Sequence, residues 1–487
     1  MRFFNKATML SASIAALFSL SMVTPVVADP PAKVSNGVMM QGFGWDSKAG
    51  GDKGNWYRNL EGKADDMKSI GIDFLWFPPV SRSVSDQGYL PGDYYDLGTA
   101  GNTTFYGDEA SLKSALKTLN EKGIIPVADI VINHRCASHQ DKNGVWNIYN
   151  FASGKAKWEQ WAVCSGQFGG QGKADTGDAF PPAPDLDHTN AQVRADIIEW
   201  MNWMKKLGFK AWRYDYVKGY APKYNGEYDA GTSPLFSVGE LWTNMGFSGC
   251  NLNPDQNFHR QQLCDWLDKN KSEVACVFDF TTKGILQVAV KGEYWRLKDS
   301  EGKPTGLIGW WPARAVTFLD NHDTGSKQNH WPFPNNEVMQ GYAYILTHPG
   351  IPCVFYEHVY DWKLKNEIKK LIEVRKANKI HSTSKVEILK AENGLYAAVI
   401  DGKVAVKLGS KDWAPGDGYT LAASGNNYAV WDKGAKSRSA SVKSTSTRRA
   451  SSTTARKPTT TKKKSTTSTT TKKKTTTKKK STTTARR

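Results

Sequence analysis

Three short apolar segments of the chain each end in a carboxylate residue. Their terminal acids are Asp215, Glu240 and Asp323. A buried carboxylate without a partner is strongly disfavoured, so an apolar strand that ends in an acid indicates a strand that opens into a polar cleft. Turn or cap chemistry would explain one such acid. Three of them, each with a polar companion nearby, indicate that the carboxylates share one site.

Carboxylates that share a site push one another's pKa values apart, because like charges resist ionising together. One carboxyl group then stays protonated and can act as an acid, while another stays ionised and can act as a nucleophile. Cleavage of a glycosidic bond requires these two states side by side. The three acids therefore predict a site for glycoside cleavage.

The elements that must position these acids are eight short apolar runs that alternate with amphipathic stretches. The runs lie at 37–43, 72–78, 124–131, 209–215, 236–241, 275–280, 315–320 and 351–356. Strands interleaved with helices, with acids at the strands' carboxyl ends, predict an α/β fold of the (β/α)₈ TIM barrel type. A doubly wound open sheet is the alternative, and the lack of a Gly-rich phosphate turn after the first run disfavours it.

The pattern divides the chain into four predicted parts. Residues 1–28 are typical of a secretory signal peptide that is cleaved after Ala28, which predicts a secreted protein. The barrel is expected over 29–383, with a long loop domain at 134–185 after the third strand. Short alternating strands and turn signals over 384–435 predict a C-terminal antiparallel β-sheet domain. No run is long enough for a stable transmembrane segment.

The fourth part is a basic tail. Residues 436–487 hold 18 Lys and Arg and no acid, so this tail accounts for the whole formal net charge of +18. Its Lys, Thr and Ser repeats predict disorder. Such a tail can bind polyanionic surfaces or serve as a solvated or glycosylated stalk. It lacks the interleaved aromatic residues of a single-strand binder, so we expect no specific nucleic acid recognition.

The six cysteines allow 15 full pairings in an exported protein. Four of them lie in loop-like segments and could form two bridges, Cys136 with Cys164 and Cys250 with Cys264. The other two lie in apolar runs and are expected to be buried thiols. The chain has no CxxC pair, which disfavours a zinc site.

Several segments around these acids resemble glycoside hydrolase family 13, the α-amylases, and most closely its plant-type branch. The matching sequence segments are QGFGW at 41–45, GYLPGDYYDL at 88–97, ADIVINHR at 128–135, GWWPARAVTFLDNHDTGS at 309–326, MQGYAYILTHPGIPCVFYEH at 339–358 and NNYAVW at 426–431. The resemblance extends over roughly residues 36–432.

The resemblance implies a secreted, endo-acting α-amylase. Such an enzyme hydrolyses internal α-1,4-glucosidic bonds of starch or glycogen by a retaining double displacement. Asp215 then corresponds to the nucleophile and Glu240 to the general acid/base. Asp323 corresponds to a third carboxylate that steadies the distorted sugar.

The resemblance also implies substrate contacts. His134 and His322 correspond to residues that hydrogen-bond the hydroxyls of the reacting sugar, and Tyr89 corresponds to a residue that stacks under its ring. Arg213, on the same strand face as Asp215, is expected to keep that acid ionised. Three further side chains either contact outer glucose units or pack at the barrel rim: Lys218, Trp242 and Tyr356.

A structural Ca²⁺ that ties the long loop to the barrel is a further implication of the resemblance. Calcium requires oxygen ligands. Asn133, Asp175 and Asp185 correspond to its side-chain ligands, and Asp178 and Gly219 correspond to residues that supply backbone carbonyls.

Other interpretations stay open from the sequence. A malto-oligosaccharide-forming or transglycosylating relative would use the same acids, because product length depends on loop shape. A non-catalytic glucan-binding or surface adhesion protein is a third possibility, which the complete set of three acids disfavours. The expected partners are starch, glycogen or malto-oligosaccharides, and we expect a monomer. Trp310-Trp311 fits either a surface starch site or barrel packing.

Overall fold

The computed structural model describes residues 32–47, 55–99 and 102–433. The predicted signal peptide and the predicted basic tail lie outside these residues. No helix within the described ranges is long and apolar enough to cross a membrane.

Eight parallel strands close into a barrel, each strand pairing with its neighbours in chain order. They are β1 (Met39–Gln41), β2 (Phe74–Trp76), β3 (Ile125–Ile130), β4 (Ala211–Tyr214), β5 (Ser237–Gly239), β6 (Ala275–Phe278), β7 (Ala315–Thr317) and β8 (Ile351–Phe355). All the strand residues are buried, as expected for strands packed on both faces. The predicted (β/α)₈ barrel is confirmed.

Helices lie between the strands and supply the outer layer. They are α1 (Ala32–Ser35), α2 (Trp56–Gly62), α3 (Ala64–Ile70), α4 (Glu109–Glu121), α5 (Ala191–Leu207), α6 (Lys223–Thr232), α7 (Asn257–Asn270), α8 (Phe280–Ala289), α9 (Val338–Thr347) and α10 (Lys365–Ala377). Short 3₁₀ turns lie at Gln160–Ala162, Val217–Gly219, Tyr294–Leu297, Leu307–Gly309, Pro312–Arg314 and Asn335–Glu337, and a π-helical turn lies at Glu357–Asp361.

Side-chain caps fix where the helices begin, because the first turn of a helix has unpaired amide donors. The Asp108 carboxylate accepts the Ser111 amide and starts α4, and the Asp279 carboxylate accepts the Thr282 amide and starts α8. Gly208, with a φ of 127°, then ends α5 and turns the chain towards β4.

The long excursion after β3 is attached to the barrel at both of its ends. His134 and Asp185 form a β-bridge to each other. The fully buried guanidinium of Arg135 donates to the carbonyls of Gly92, at 2.8 Å, and Ala156, at 2.6 Å. Four aromatic rings surround this guanidinium at 4.8 to 5.8 Å: Tyr94, Tyr149, Phe151 and Trp158. Cation–π contacts and carbonyl acceptors thus replace a carboxylate partner.

Three two-stranded hairpins project from the loops of the barrel. They pair Arg82–Ser83 with Pro91–Asp93, His139–Gln140 with Trp146–Ile148, and Phe247–Ser248 with Asn251–Leu252.

A five-stranded antiparallel sheet follows α10, as the sequence predicts. Its strands are β9 (Val386–Glu392), β10 (Leu395–Ile400), β11 (Val404–Leu408), β12 (Tyr419–Gly425) and β13 (Tyr428–Lys433), in the order β9-β10-β11-β13-β12. Buried polar contacts join it to the barrel: Nε2 of His348 lies 2.8 Å from the Tyr396 hydroxyl, and the Gly409 amide donates to Gln340.

The six cysteines are all free thiols, so the prediction of two bridges is wrong. Cys136 and Cys164 are both buried, whereas Cys250 is exposed and Cys264 is half-buried. A disulfide requires the two Cβ atoms to lie about 4 Å apart, and a position in a loop does not fix that distance. The remaining two cysteines are buried thiols, as expected.

Candidate active site

The three predicted acids line one cleft at the carboxyl ends of the barrel strands. Asp215 directly follows β4, Glu240 directly follows β5, and Asp323 lies on the turn after β7. Carboxyl ends of parallel barrel strands meet on one face, and catalytic groups of TIM barrels collect there. Much of the cleft wall is aromatic: Trp45, Tyr89, Phe180, Tyr216 and Trp242.

Arg213 on β4 lies at the centre of the charged groups. Its Nη1 donates to Oδ1 of Asp215 at 2.7 Å and to Oδ1 of Asp129 at 2.8 Å. Its Nη2 lies 2.8 Å from Oε2 of Glu240, but the contact lacks hydrogen-bond geometry. One fully buried guanidinium therefore faces three carboxylates and forms directed hydrogen bonds with two of them.

Asp129 on β3 is a site residue that the sequence interpretation missed. The parallel register places it directly beside Arg213 on β4. Its Oδ2 accepts the indole N–H of Trp76 at 2.9 Å and the hydroxyl of Tyr89 at 2.8 Å. Burial raises the pKa of Asp129 to about 6, while Arg213 opposes the rise. The available signal was an acid in the middle of an apolar run, which needs a buried cation beside it.

The two acids nearest to Arg213 differ in how their ionised forms are supported. Burial raises the pKa of both Asp215 and Glu240, and Arg213 lowers it in both. Asp215 accepts a directed hydrogen bond from Arg213, which favours its anion. Oε1 of Glu240 is buried and has no hydrogen-bond partner among the described residues. Glu240 therefore retains its proton to higher pH than Asp215.

Tyr216 joins these two acids through the backbone. Its φ of 46° lies in the left-handed region, which costs a residue with a side chain roughly 1 kcal/mol or more. In this conformation its amide donates to Oε2 of Glu240 at 3.3 Å. The turn after Asp215 thus carries local strain at the position where it contacts the second acid.

His322 forms one aromatic wall of the cleft with Tyr89 and Trp45. The rings of His322 and Tyr89 are parallel with centroids 4.8 Å apart, and Trp45 stacks 6.1 Å from His322. The Gln41 amide donates to Nδ1 of His322 at 2.9 Å, so the ring proton is on Nε2. That nitrogen lies 3.3 Å from Oδ2 of Asp323. Burial lowers the pKa of His322 to about 4, so the ring is neutral.

Comparison with known proteins decides the family. Residues 46–361 match the α-amylase catalytic domain, and residues 377–432 match the α-amylase C-terminal β-sheet domain. The chain belongs to the α-amylase family. It is an α-1,4-glucan hydrolase, as the sequence resemblance implied.

Individual relatives agree with this assignment. Probable α-amylase 2 from Arabidopsis thaliana is 49% identical over 400 residues, which are 81% of this chain and 94% of that protein. Glucan 1,4-α-maltotetraohydrolase from Stutzerimonas stutzeri is 29% identical over 87% of this chain and 80% of its own length. A solved α-amylase structure from Malbranchea cinnamomea superposes with a TM-score of 0.58 at 17% identity, covering 83% of this chain and 97% of that one. The similarity of that structure concerns the fold alone.

His134 does not line the cleft of the amylase. Phe180 from the long excursion stacks on its ring at a centroid distance of 3.9 Å. Its Nε2 lies 2.8 Å from the Tyr89 carbonyl, and the side chain is fully buried. Phe180 lines the cleft in front of this ring, and the contact of His134 with sugar hydroxyls stays a prediction.

The remaining predicted contacts divide between the cleft and the core. Lys218 and Trp242 both line the cleft of the amylase. Tyr356 packs edge-on against Trp56 and its hydroxyl accepts a hydrogen bond from Asn59. Tyr356 therefore acts as a packing residue at the rim.

Sequence reasoning also missed two cleft residues on the loop after β7. His330 and Gln328 line the cleft, and Nε2 of Gln328 donates to Oδ1 of Asp323 at 2.9 Å. Nothing in the local sequence marks them, because a polar residue in an irregular loop is ordinarily exposed.

The expected calcium ligands come together where the long excursion meets the barrel. The Asn133 amide donates to Oδ1 of Asp185 at 2.6 Å, whereas Oδ1 of Asn133 is buried and has no hydrogen-bond partner in the described part of the chain. A Cβ on Gly219 would lie 2.0 Å from that oxygen. Burial, together with Asp175, raises the pKa of Asp185 to about 7. Asp178 adjoins this group, its amide donating to the Lys218 carbonyl.

This arrangement fits a hard cation that binds oxygen. An uncompensated amide oxygen and two carboxylates in mutual repulsion are both stabilised by a positive ion. Across the described ranges, no three His, Cys, Asp or Glu side chains converge as a metal cluster. The expected set instead combines the carboxylates of Asp175 and Asp185 with one amide oxygen and two backbone carbonyls.

The tandem tryptophans of the amylase have different environments. Trp310 is partly exposed, and the Arg260 guanidinium covers one ring face at 3.9 Å. Trp311 packs against the hydrophobic core. Trp310 is thus the more exposed of the two, and Trp311 is half-buried.

Proposed function

We propose that this α-amylase cleaves internal α-1,4 bonds of starch, glycogen or malto-oligosaccharides with retention of anomeric configuration. The observation that carries this proposal is the placement of Asp215 and Glu240 around Arg213, with the stronger support on the Asp215 anion. Family membership supports attack at internal bonds.

In the first step, a carboxylate oxygen of Asp215 attacks C1 of the glucosyl unit. The bond from C1 to the glycosidic oxygen breaks as Glu240 donates its proton to that oxygen. The products are a free chain end and a glucosyl ester on Asp215. Oε1 of Glu240 is suited to proton donation, because no neighbouring group in the described structure holds it.

In the second step, Glu240 removes a proton from water as the water oxygen attacks C1. The bond to Asp215 breaks, and the two inversions together retain the configuration. Asp323 and His322 bind hydroxyls of the reacting sugar, and Tyr89 stacks on its ring. Arg213 holds Asp215 ionised as the nucleophile before each cycle.

Replacing each acid separately tests these roles. Asp215→Asn should lower kcat on starch by roughly 10³-fold or more, because the nucleophile is lost. Glu240→Gln should lower kcat/KM on starch by a similar factor but lower kcat/KM far less on a maltotrioside with a good phenolate leaving group, whose departure needs no proton. Initial rates on both substrates, with product anomers followed by NMR, make the comparison. Asp299→Asn is the control, because Asp299 pairs with Arg260 at 3.1 Å and does not line the cleft.

Initial β-anomers from the wild-type protein would contradict retention. Equal losses of kcat/KM on both substrates in Glu240→Gln would contradict its role as acid. The lengths of the early products also separate an endo-acting enzyme from a malto-oligosaccharide-forming or transglycosylating one, and a protein without turnover would be the glucan-binding alternative.

We also propose a structural Ca²⁺ held by Asn133, Asp175, Asp185 and the carbonyls of Asp178 and Gly219. The bound ion supplies charge compensation and ties the long excursion to the barrel. The orphaned Asn133 oxygen and the raised pKa of Asp185 support this site.

Removing calcium should therefore lower the melting temperature, since a ligand that binds the native state stabilises it by mass action. Asp185→Asn should shrink the difference between protein with calcium and protein with chelator. Asp141→Asn is a matched control, because Asp141 accepts turn amides within the same excursion. Equal chelator responses of wild type and Asp185→Asn would count against these ligands.

We propose that the protein is exported after removal of residues 1–28 and acts as a monomer, with its tail binding polyanionic surfaces. The signal-like composition of residues 1–28 supports export, and the charge of the tail supports its binding to polyanionic surfaces.

The comparison that tests the tail uses the full chain and a chain ending after Gly434, both applied to an anionic resin over a salt series. Only the full chain should be retained at low salt, because contacts of many cations with a polyanion weaken steeply as salt rises. Starch hydrolysis should be equal for the two. Identical retention would leave a stalk as the role of the tail.

A further inference from the structure

The loop between β7 and α9 carries Asp323 into the cleft, and its two ends meet on a buried acid, Asp320. Oδ1 of Asp320 accepts the Thr324 hydroxyl at 3.0 Å and the Phe333 amide at 3.1 Å. The Phe333 amide also lies 3.2 Å from Oδ2. One carboxylate therefore closes the loop over residues 320–333.

A buried lysine from the neighbouring barrel unit compensates this acid. Lys283 on α8 is fully buried, and its Nζ lies 3.5 Å from Oδ1 of Asp320. The same ammonium donates to the Trp331 carbonyl and to the Gln287 side chain, both at 2.8 Å. Lys283 thus holds the loop at two points, because Trp331 and Asp320 lie at its opposite ends. Removing either charge leaves the other buried and unpaired, which is strongly unfavourable.

The next barrel unit contributes a neutral histidine to the other side of Asp320. The Tyr342 hydroxyl accepts the Phe355 amide at 3.1 Å and lies 2.8 Å from Nδ1 of His358. Nε2 of the same ring lies 3.6 Å from Oδ2 of Asp320. Groups from three consecutive barrel units thus surround one carboxylate.

A short chain of hydrogen bonds leads from Asp320 to Asp323. The Thr324 hydroxyl, which donates to Asp320, accepts the Asn321 amide at 3.1 Å. Oδ1 of Asn321 then accepts the amides of Asp323, at 3.0 Å, and Thr324, at 2.8 Å. On the far side, the His330 amide donates to the Asp323 carbonyl at 3.1 Å.

We propose that Lys283 and Asp320 form an ion pair that positions Asp323 in the cleft. Both are positioning residues, since they act on the reaction only through the loop over residues 320–333. The proposal rests on the role of Asp323 given above. The pair would act by fixing the position of Asp323, because a small displacement of a catalytic group removes much of its contribution to the rate.

The test is a double-mutant cycle in the full-length protein with Asp320→Asn, Asp323→Asn and both together. Asn at 320 keeps an acceptor for Thr324 and Phe333 but removes the charge that faces Lys283. We expect Asp320→Asn to lower kcat on maltoheptaose by roughly 10- to 100-fold with KM changed much less. In the Asp323→Asn background the same change should have almost no further effect, since the group that it positions is already lost.

Asp299→Asn is the matched control for a general loss of stability. It breaks another buried ion pair, Arg260 with Asp299 at 3.1 Å, which does not border the cleft. It should lower the melting temperature and leave kcat unchanged. Thr324→Val provides a second test of the same link if Asp320→Asn fails to fold, and it should also lower kcat only when Asp323 is present.

Three results would overturn the proposal. Wild-type kcat in Asp320→Asn or Thr324→Val would show that the pair does not position Asp323. A full additional loss in the Asp323→Asn background would indicate a general structural effect, as would an equal loss in Asp299→Asn. If Asp323→Asn itself has normal kcat, the assigned role of Asp323 fails, and that result is separate from the others.

Discussion

The site depends on one buried guanidinium. Taking Arg213 out of water costs several kcal/mol, and so does burying each carboxylate that faces it. The cost is met only because the parallel register sets Asp129 beside Arg213 while Asp215 ends the same strand. Glu240, which directly follows the next strand, lies 2.8 Å from Nη2 of the cation. The barrel thus supplies charge compensation as a consequence of strand order.

A second buried cation paired with a buried carboxylate lies near Asp323. Lys283 and Asp320 are both buried, and their contacts close the loop that carries Asp323. We propose that Arg213 sets the protonation of the reacting groups, and that the pair of Lys283 and Asp320 sets the position of a group that binds the sugar. In both places the partners of the buried ion pairs come from neighbouring strands and helices.

The sequence predicted those parts of the fold and site that follow from local pattern. Apolar runs that end in acids predicted both the barrel and the meeting of Asp215, Glu240 and Asp323. Asp129 escaped detection because its role depends on strand register, which a single strand does not reveal. His134 was expected at the cleft surface, but Phe180 from a distant part of the excursion covers it. Irregular loops have no period from which their packing could be predicted.

The most direct test of the account is the pH dependence of kcat/KM in Arg213→Lys. The control is Arg296→Lys, because Arg296 pairs with Glu293 at 2.7 Å and does not line the cleft. Arg213 lowers the pKa of both Asp215 and Glu240, and a lysine ammonium cannot contact all the carboxylates at once. The pKa of each acid should rise, so the acid and alkaline limbs should both move to higher pH. Limbs that stay in place, or that move to lower pH, would contradict the claim that one guanidinium sets the protonation of both acids.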